Sequence, residues 1–326
     1  MNKFIVITSI FPPTKAVAQL ANINDWNLLV VGDNKTPHDW HCEKTIFLSI
    51  ETQKKLNYKI ANNLPNNHYS RKMIGYLYAM ESGADLICDM DDDNFPLKNW
   101  GIIPESETFP TICGEGFINI YKFFSKIFLW PRGFPLQFIN SDPKITINNK
   151  KSNVGIWQFL ANGDPDVDAI YRLLFAHKEI TFEDNGPYVL DKGVFSPFNS
   201  QNTIFKKKVF PLLYLPAFVE FRFTDIMRGL IAQPIIWNMG LRLGISNASA
   251  FQDRNPHNYF SDFKNEITTY LHSEEITQIA TESILENETI ESNLYRVYEN
   301  LKKNNIIADD EIILLEDWLY DINGIK

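Results

Sequence analysis

The sequence predicts an α/β fold built on a parallel sheet, and three observations carry that reading. Phe4 to Ile10 is an apolar, β-branched run that stops at Phe11-Pro12-Pro13. Trp26 to Val31 is a second run, ending at Gly32-Asp33-Asn34. Ala84 to Cys88 is a third, broken only by Asp85, and it ends abruptly in Asp89, Asp91, Asp92 and Asp93. Short apolar runs bounded by turn residues suit buried strands, and repeated strand–turn–helix steps imply parallel pairing.

Taken in order, Thr14 can cap a helix from Lys15 to Ala21. Ligands of parallel α/β sheets bind beyond the carboxyl ends of the strands, where Thr8-Ser9 and Gly32-Asp33-Asn34-Lys35 stand. Asp33 can hold a base or ribose hydroxyl there, or simply shape the turn. Ser70 is expected to cap a helix whose first turn holds Arg71 and Lys72 and whose Met73, Ile74, Leu77 and Tyr78 recur at helical spacing. Two cations in a first helical turn oppose the macrodipole, which makes sense if an anion docks on them; solvation at the surface is the alternative.

Asp89, Asp91, Asp92 and Asp93 repel one another unless a cation sits among them. Carboxylate oxygens suit Mg²⁺ or Mn²⁺, and Mg²⁺ keeps one or two protein carboxylates while water and substrate phosphates fill its shell. A diphosphate substrate follows. The competing explanation is a solvated acidic turn ahead of Phe95-Pro96.

Composition sets the outer limits. The 326 residues can bury a large core, and 44% hydrophobic with 22% charged residues is ordinary for a globular chain. No apolar run approaches a membrane span, and no leader pattern precedes Phe4, so a cytoplasmic protein is expected. Cys42, Cys88 and Cys113 form no Cys-x-x-Cys pair, which argues against a disulfide framework or zinc site. From Asp262 onward fifteen acidic residues face five basic ones, a net of −10 against −9 for the whole chain. The first 261 residues are thus close to neutral, and the lack of a basic excess argues against nucleic acid as a partner.

Several motifs, in order, resemble a known family. Ile7-Thr8 with Pro12-Pro13-Thr14, Val30-Val31-Gly32-Asp33 with Lys35-Thr36-Pro37, Arg71-Lys72 with Ile74-Gly75-Tyr76-Leu77-Tyr78-Ala79, and Asp91-Asp92-Asp93-Asn94 look like the STELLO-type glycosyltransferase-like family. More distantly they are similar to the reversibly glycosylated polypeptides, which are UDP-arabinopyranose mutases. The resemblance implies a GT-A fold, Rossmann-like in its nucleotide half, with an Asp-x-Asp metal motif at Asp91 and Asp93 helped by Asp89 and Asp92. It implies a nucleotide-sugar donor, UDP by family habit, and Mn²⁺ or Mg²⁺. Thr8, Ser9, Asp33, Lys35 and Arg71 or Lys72 would position the nucleotide.

The resemblance continues to about residue 270. Trp130-Pro131-Arg132-Gly133-Phe134-Pro135 is similar to the mutase segment whose arginine becomes glycosylated; read from its residues alone, Arg132 is a loop cation with a structural or phosphate-holding role. Asp166 and Asp168, in Asn162 to Ala169, match acids of the sugar or acceptor site, or cap a helix. Ser196 to Thr203 is rich in amides and hydroxyls, with Asn199 and Gln201 suited to a sugar. Asp225, in Arg222 to Gly229, looks like the acid at the acceptor side, with helix capping as the alternative. Arg254 and His257, in a loop before the acidic tail, match loosely a loop that completes a metal or diphosphate site, Arg254 for phosphate and His257 as a ligand.

Other enzyme classes lack their signatures. There is no Gly-x-x-x-x-Gly-Lys loop, and Gly114-Glu115-Gly116 lacks the third glycine and the position of a dinucleotide fingerprint. No Gly-x-Ser-x-Gly elbow occurs. The expectation is a metal-dependent glycosyltransferase domain over residues 1–265, acting on a glycan or lipid-linked acceptor in polysaccharide synthesis. An acidic helical extension over 266–326, marked by Ile312, Leu315, Trp318 and Leu319, lies beyond the resemblance and can pack on the catalytic domain or serve as an oligomer contact. The alternatives are a nucleotide-sugar mutase dependent on Arg132 and a non-catalytic scaffold.

Overall fold

The computed structural model describes residues 1–175, 179–254 and 258–325. In chain order the strands are β1 Lys3–Thr8, β2 Asn27–Val31, β3 Thr45–Leu48, β4 Leu86–Asp89, β5 Asn94–Pro96, β6 Thr108–Cys113, β7 Gly116–Phe117, β8 Thr146–Lys151, β9 Asn153–Gly163, β10 Tyr188–Leu190, β11 Val194–Phe195, β12 Thr203–Lys206 and β13 Leu241–Gln252. The helices are α1 Lys15–Leu20, α2 Ile50–Lys55, α3 Lys72–Glu81, α4 Ala169–Leu174, α5 Thr224–Asn238, α6 Tyr259–Ser283, α7 Ile290–Lys303 and α8 Asp309–Gly324.

All but two short strands join one mixed sheet in the order β3-β2-β1-β4-β12-β9-β13-β10-β6-β8, with β5 paired to β13. The first four are mutually parallel, Val6 standing beside Leu29 and Asp89 in neighbouring strands. The chain runs outward from β1 to β3, then returns to β4 on the other side of β1, which opens a crevice at the carboxyl ends of β1 and β4. This is the expected Rossmann-like GT-A architecture with C-terminal helices added.

Thr14 caps α1 as its position suggests, accepting from Val17 N at 3.1 Å. Ser70 does not cap α3. His68 caps a short 3₁₀ turn over Tyr69–Arg71 that leads into α3, and its ring nitrogen accepts from Ser70 N. Gly75 lets α3 lie directly on the sheet, since a Cβ there would come within 2.6 to 2.8 Å of Val6, Leu29 and Val31.

α5 makes a similar close approach at Gly229, where a Cβ would stand 2.3 Å from the carbonyl oxygen of Phe198. Backbone cannot yield as a side-chain tip can. Gly229→Ala is therefore expected to cost about 2 kcal/mol despite alanine's better helix propensity, read as a lowered urea midpoint.

α6, α7 and α8 share the main hydrophobic core with the sheet through Ile276, Leu294, Val297, Leu314 and Trp318. Polar clamps fasten them. Asp321 accepts from the backbone of Lys59 and Ile60 at 2.8 and 2.9 Å, and Trp318 donates to Pro211 O. Fully buried Glu311 accepts from Ala217 N, Phe218 N and the Tyr214 hydroxyl. Burial outweighs those donors and pushes its pKa from 4.5 up to about 7. Between those values the unfolded chain loses the proton that the folded chain retains, so stability declines as pH rises through the window. Glu311→Gln removes this term. Urea titrations at pH 5 and pH 8 are expected to show wild type losing about 2–3 kcal/mol more than the variant between the two.

No helix among the described residues is long and apolar enough to cross a membrane.

Candidate active site

Asp89 ends β4 with no exposed surface, and a carboxylate so placed requires paired charge. Lys72 supplies it from the first turn of α3, Nζ donating to Oδ1 at 2.9 Å, and Arg228 supplies it from α5, Nη1 donating to Oδ2 at 2.7 Å. Burial opposes the charge on Lys72, but Asp89 and Asp91 outweigh it and hold the ammonium above its ordinary value. Both oxygens of Asp89 are thus engaged by protein cations, which removes it from the expected metal set. Lys72 likewise serves these aspartates rather than a nucleotide.

Beyond Asp89 the chain turns outward. Asp91 lies 3.4 Å from Lys72 and keeps 42% of its side chain exposed to a recessed cavity. Desolvation, with the charges of Asp93 and Asp89, raises its pKa to about 7 against the pull of Lys72. Asp92 accepts from Ser9 Oγ at 2.5 Å, and its carbonyl accepts from Thr14 Oγ1, which ties the cluster to the end of β1. Asp93 receives Gln252 Nε2 at 3.3 Å from the end of β13.

Opposite stands Arg132, buried between two carboxylates. Nε and Nη2 donate to Asp166 at 2.9 and 2.8 Å, while Nη1 and Nη2 donate to Asp225 at 3.1 and 3.0 Å. Nη1 also donates to Arg222 O. All five N–H groups of the guanidinium are thereby used. An arginine free to receive a sugar, as the mutase resemblance implies, is not what the fold presents. Burial works against the charges of Asp166 and Asp225, but Arg132 prevails and holds both below the usual carboxylate range. Asn199 Nδ2 donates to Asp166 at 2.7 Å and Ser200 N to Asp225 at 3.1 Å. Their oxygens are occupied, so these acids fix Arg132 and the 199–200 loop rather than take up a proton.

The two groups face each other across a cavity of about 220 Å³ at the carboxyl ends of β1, β4 and β13. Thr8, Asp91, Asp92, Asp93, Arg132, Asp166, Gln201, Asp225 and Arg254 line it, as do Arg222 and Gln252, to which the sequence reading assigned no role. Gln201 donates to Gln252. Arg222 is held by Glu266 of α6 at 2.6 Å, whereas among the described residues Arg254 meets Asp164 at 3.5 Å, Asp166 at 3.7 Å and Gln252 Oε1 at 3.4 Å, and its Nε makes no hydrogen bond. Arg228, three residues after Asp225 on the same helix, was legible as a neighbour of that acid but not as the partner of Asp89.

Other expected residues lie elsewhere. Arg71 turns inward to Gln53 Oε1 and Leu64 O. Asp33 stands at the end of β2 as expected, with its oxygens accepting Asn34 N and His68 N at 2.7 and 3.1 Å. Lys35 is exposed. Asp168 is no acceptor-side acid: it caps α4 through Tyr171 N and accepts from Trp130 Nε1 at 2.6 Å. His257 lies outside the described residues.

Among the described residues no three His, Cys, Asp or Glu side chains form a ready-made metal cage. Five carboxylates and three guanidiniums line the cavity, so a diphosphate entering it needs additional positive charge. Asp91 and Asp93, hard oxygen donors on the cavity wall, fit a divalent ion that takes one or two protein carboxylates and leaves its other positions to phosphate and water.

A family model described as STELLO glycosyltransferases matches residues 222–326, which include Arg222, Asp225, Arg228, Gln252, Arg254 and the three C-terminal helices. Those helices therefore fall within the shared sequence, contrary to the expectation that they lie beyond it. Two Arabidopsis thaliana proteins, probable glycosyltransferases STELLO2 and STELLO1, are each 31% identical over 264 and 266 residues respectively. Each match covers 73% of this chain and 34% of the relative, so the chain spans about a third of their length.

Proposed function

The chain belongs to the STELLO-type family, and from that premise we propose that it is a glycosyltransferase taking a sugar from a nucleotide-diphospho-sugar, with uridine as the base, to a hydroxyl acceptor. The observation that supports this most is the cavity in which Asp91 and Asp93 face Arg254 at the carboxyl ends of β1 and β4. Mn²⁺ or Mg²⁺, when bound, supplies charge that offsets the diphosphate as it leaves the sugar carbon, and Asp91 and Asp93 are the residues that would hold it. Arg254, whose Nε makes no hydrogen bond among the described residues and stands 3.5 Å from Asp164, donates to phosphate oxygens. Lys72 and Arg228 keep Asp89 from adding its charge to the cluster. Gln201 and Gln252 offer amide groups to hydroxyls.

Calorimetric titration with UDP, GDP and CDP, each with and without Mn²⁺, tests the reading. One nucleotide is expected to bind, to lose affinity without Mn²⁺, and to bind weakly to Asp91→Ala. If none binds under any condition, the transferase reading fails.

A further inference from the structure

A second and wider cleft, of about 1070 Å³, opens at the opposite edge of the sheet. β1 spans the distance between the two. Thr8 at its carboxyl end lines the cavity described above, and Lys3 at its amino end lines this cleft, roughly 17 Å away at the rise of a strand. Buried Leu86, Phe109, Val154, Trp157 and Leu241 give the cleft an apolar wall, to which Ile102, 66% exposed, adds. The indole N–H of Trp157 is buried and makes no hydrogen bond among the described residues, so the wall also holds an unspent donor. A concave, mostly apolar recess of this size with polar groups converging on it is suited to a small molecule.

Strand register sets cations beside that wall. Leu86 of β4 pairs with Lys3 of β1 on one side and with Lys206 of β12 on the other. Side chains alternate along a strand, so both lysines share the sheet face of Leu86, Ile5, Cys88 and Ile204, which belong to one core cluster. Lys207 and Lys208 line the same cleft, and the carboxylates set against these four ammonium groups are Asp85 and Glu105. Asp85 uses one oxygen on the N–H of Asn2 at 2.7 Å, and Glu105 is exposed. In a chain of net charge −9 the lining is thus locally cationic. None of the four lysines forms an ion pair among the described residues; Lys3 Nζ stands 5.6 Å from the centre of the Trp26 ring. Lys206 is half-buried, and burial lowers its pKa against the opposing charge of Glu105. An ammonium partly withdrawn from water and touched by no carboxylate is held at a cost that an incoming anion relieves.

We infer that this cleft is a second ligand site, for a small organic anion whose apolar body lies along the Phe109 and Trp157 wall and whose acidic group meets Lys3 and Lys206. The site stands apart from the proposed transfer. Fluorescence titration with anilinonaphthalene sulfonate, an anion on an apolar body, tests it, with uncharged phenylnaphthylamine as the comparison. Wild type is expected to bind one sulfonate per chain, about tenfold more tightly than the uncharged dye. Lys3→Gln combined with Lys206→Gln is expected to raise the sulfonate Kd about tenfold, while the Kd of the uncharged dye and the thermal midpoint stay as in wild type. Lys3→Arg with Lys206→Arg keeps both charges and is expected to hold the sulfonate within about threefold of wild type. Should the glutamine pair prove misfolded, Ile102→Glu, at an exposed side chain, sets a carboxylate on the cleft and is expected to weaken the sulfonate alone. Equal binding of the two dyes by wild type, several sulfonates per chain, or a folded glutamine or glutamate variant that binds the sulfonate as wild type does would each overturn the inference. So would displacement of the sulfonate by UDP with Mn²⁺, which would put the dye in the cavity of Asp91 instead.

Discussion

Asp89→Asn is expected to lower the free energy of unfolding by about 3–5 kcal/mol, because it leaves two buried cations without their counter-charge. Lys72 and Arg228 approach Asp89 from different helices, α3 and α5, and neither has exposed surface beyond 2% of its side chain. An amide offers one acceptor where the carboxylate offers two, and turns its NH₂ toward a cation. Among the described residues the other carboxylate near that ammonium is Asp91, at 3.4 Å, which cannot replace both contacts. Urea denaturation measures the loss. A change below about 1 kcal/mol would mean that the pairing does not hold the end of β4 in place.

Arg132→Ala is expected to be comparably costly, at about 3–5 kcal/mol near neutral pH, since Asp166 and Asp225 would then be buried without compensation. The pH dependence gives the effect a signature. In wild type both acids titrate below the ordinary range because of Arg132, so their stabilising contribution is present above the unfolded pKa and lost as pH falls through the folded one. Without the guanidinium, burial dominates and the acids protonate more readily, so the deficit narrows as pH is lowered toward 5. Arg132→Lys restores a charge but not a fork that reaches two carboxylates, and it is expected to recover only part of the loss. A deficit independent of pH would point to lost packing around Arg132 instead.

The contrast between these ion pairs and the strands shows what was legible in the sequence. β1, β2, β4 and the Thr14 cap follow from residues adjacent in the chain, where run length and capping chemistry decide the outcome. The aspartates were placed correctly at the end of a strand, on the side of the sheet where ligands bind. Their division of labour was not legible. Which acid faces the cavity and which is consumed by the fold depends on Arg228, 139 residues from Asp89, and on Arg132, 93 residues from Asp225. Ser70 misled for a local reason, because the His68 ring accepts the same kind of bond as a hydroxyl. The mixed half of the sheet, where β9 pairs β12 antiparallel and β13 parallel, offered no helix-and-turn rhythm to read. Asp168 satisfied two descriptions at once, an acid in a polar turn and a helix cap, and only the contacts of Trp130 and Tyr171 separate them.

The clamp of Asp321 on the amides of Lys59 and Ile60 joins positions 262 residues apart. Closing so large a loop is slow relative to local pairing, and the 3₁₀ turn at Lys59–Asn62 gains this clamp only when α8 arrives. During synthesis Lys59 thus waits for Asp321, 262 residues further along, and until then the turn it opens is held by shorter-range contacts. A nascent or carboxyl-terminally trimmed chain would carry an uncovered apolar face with Trp318 missing from it, the kind of surface that chaperones and proteases recognise.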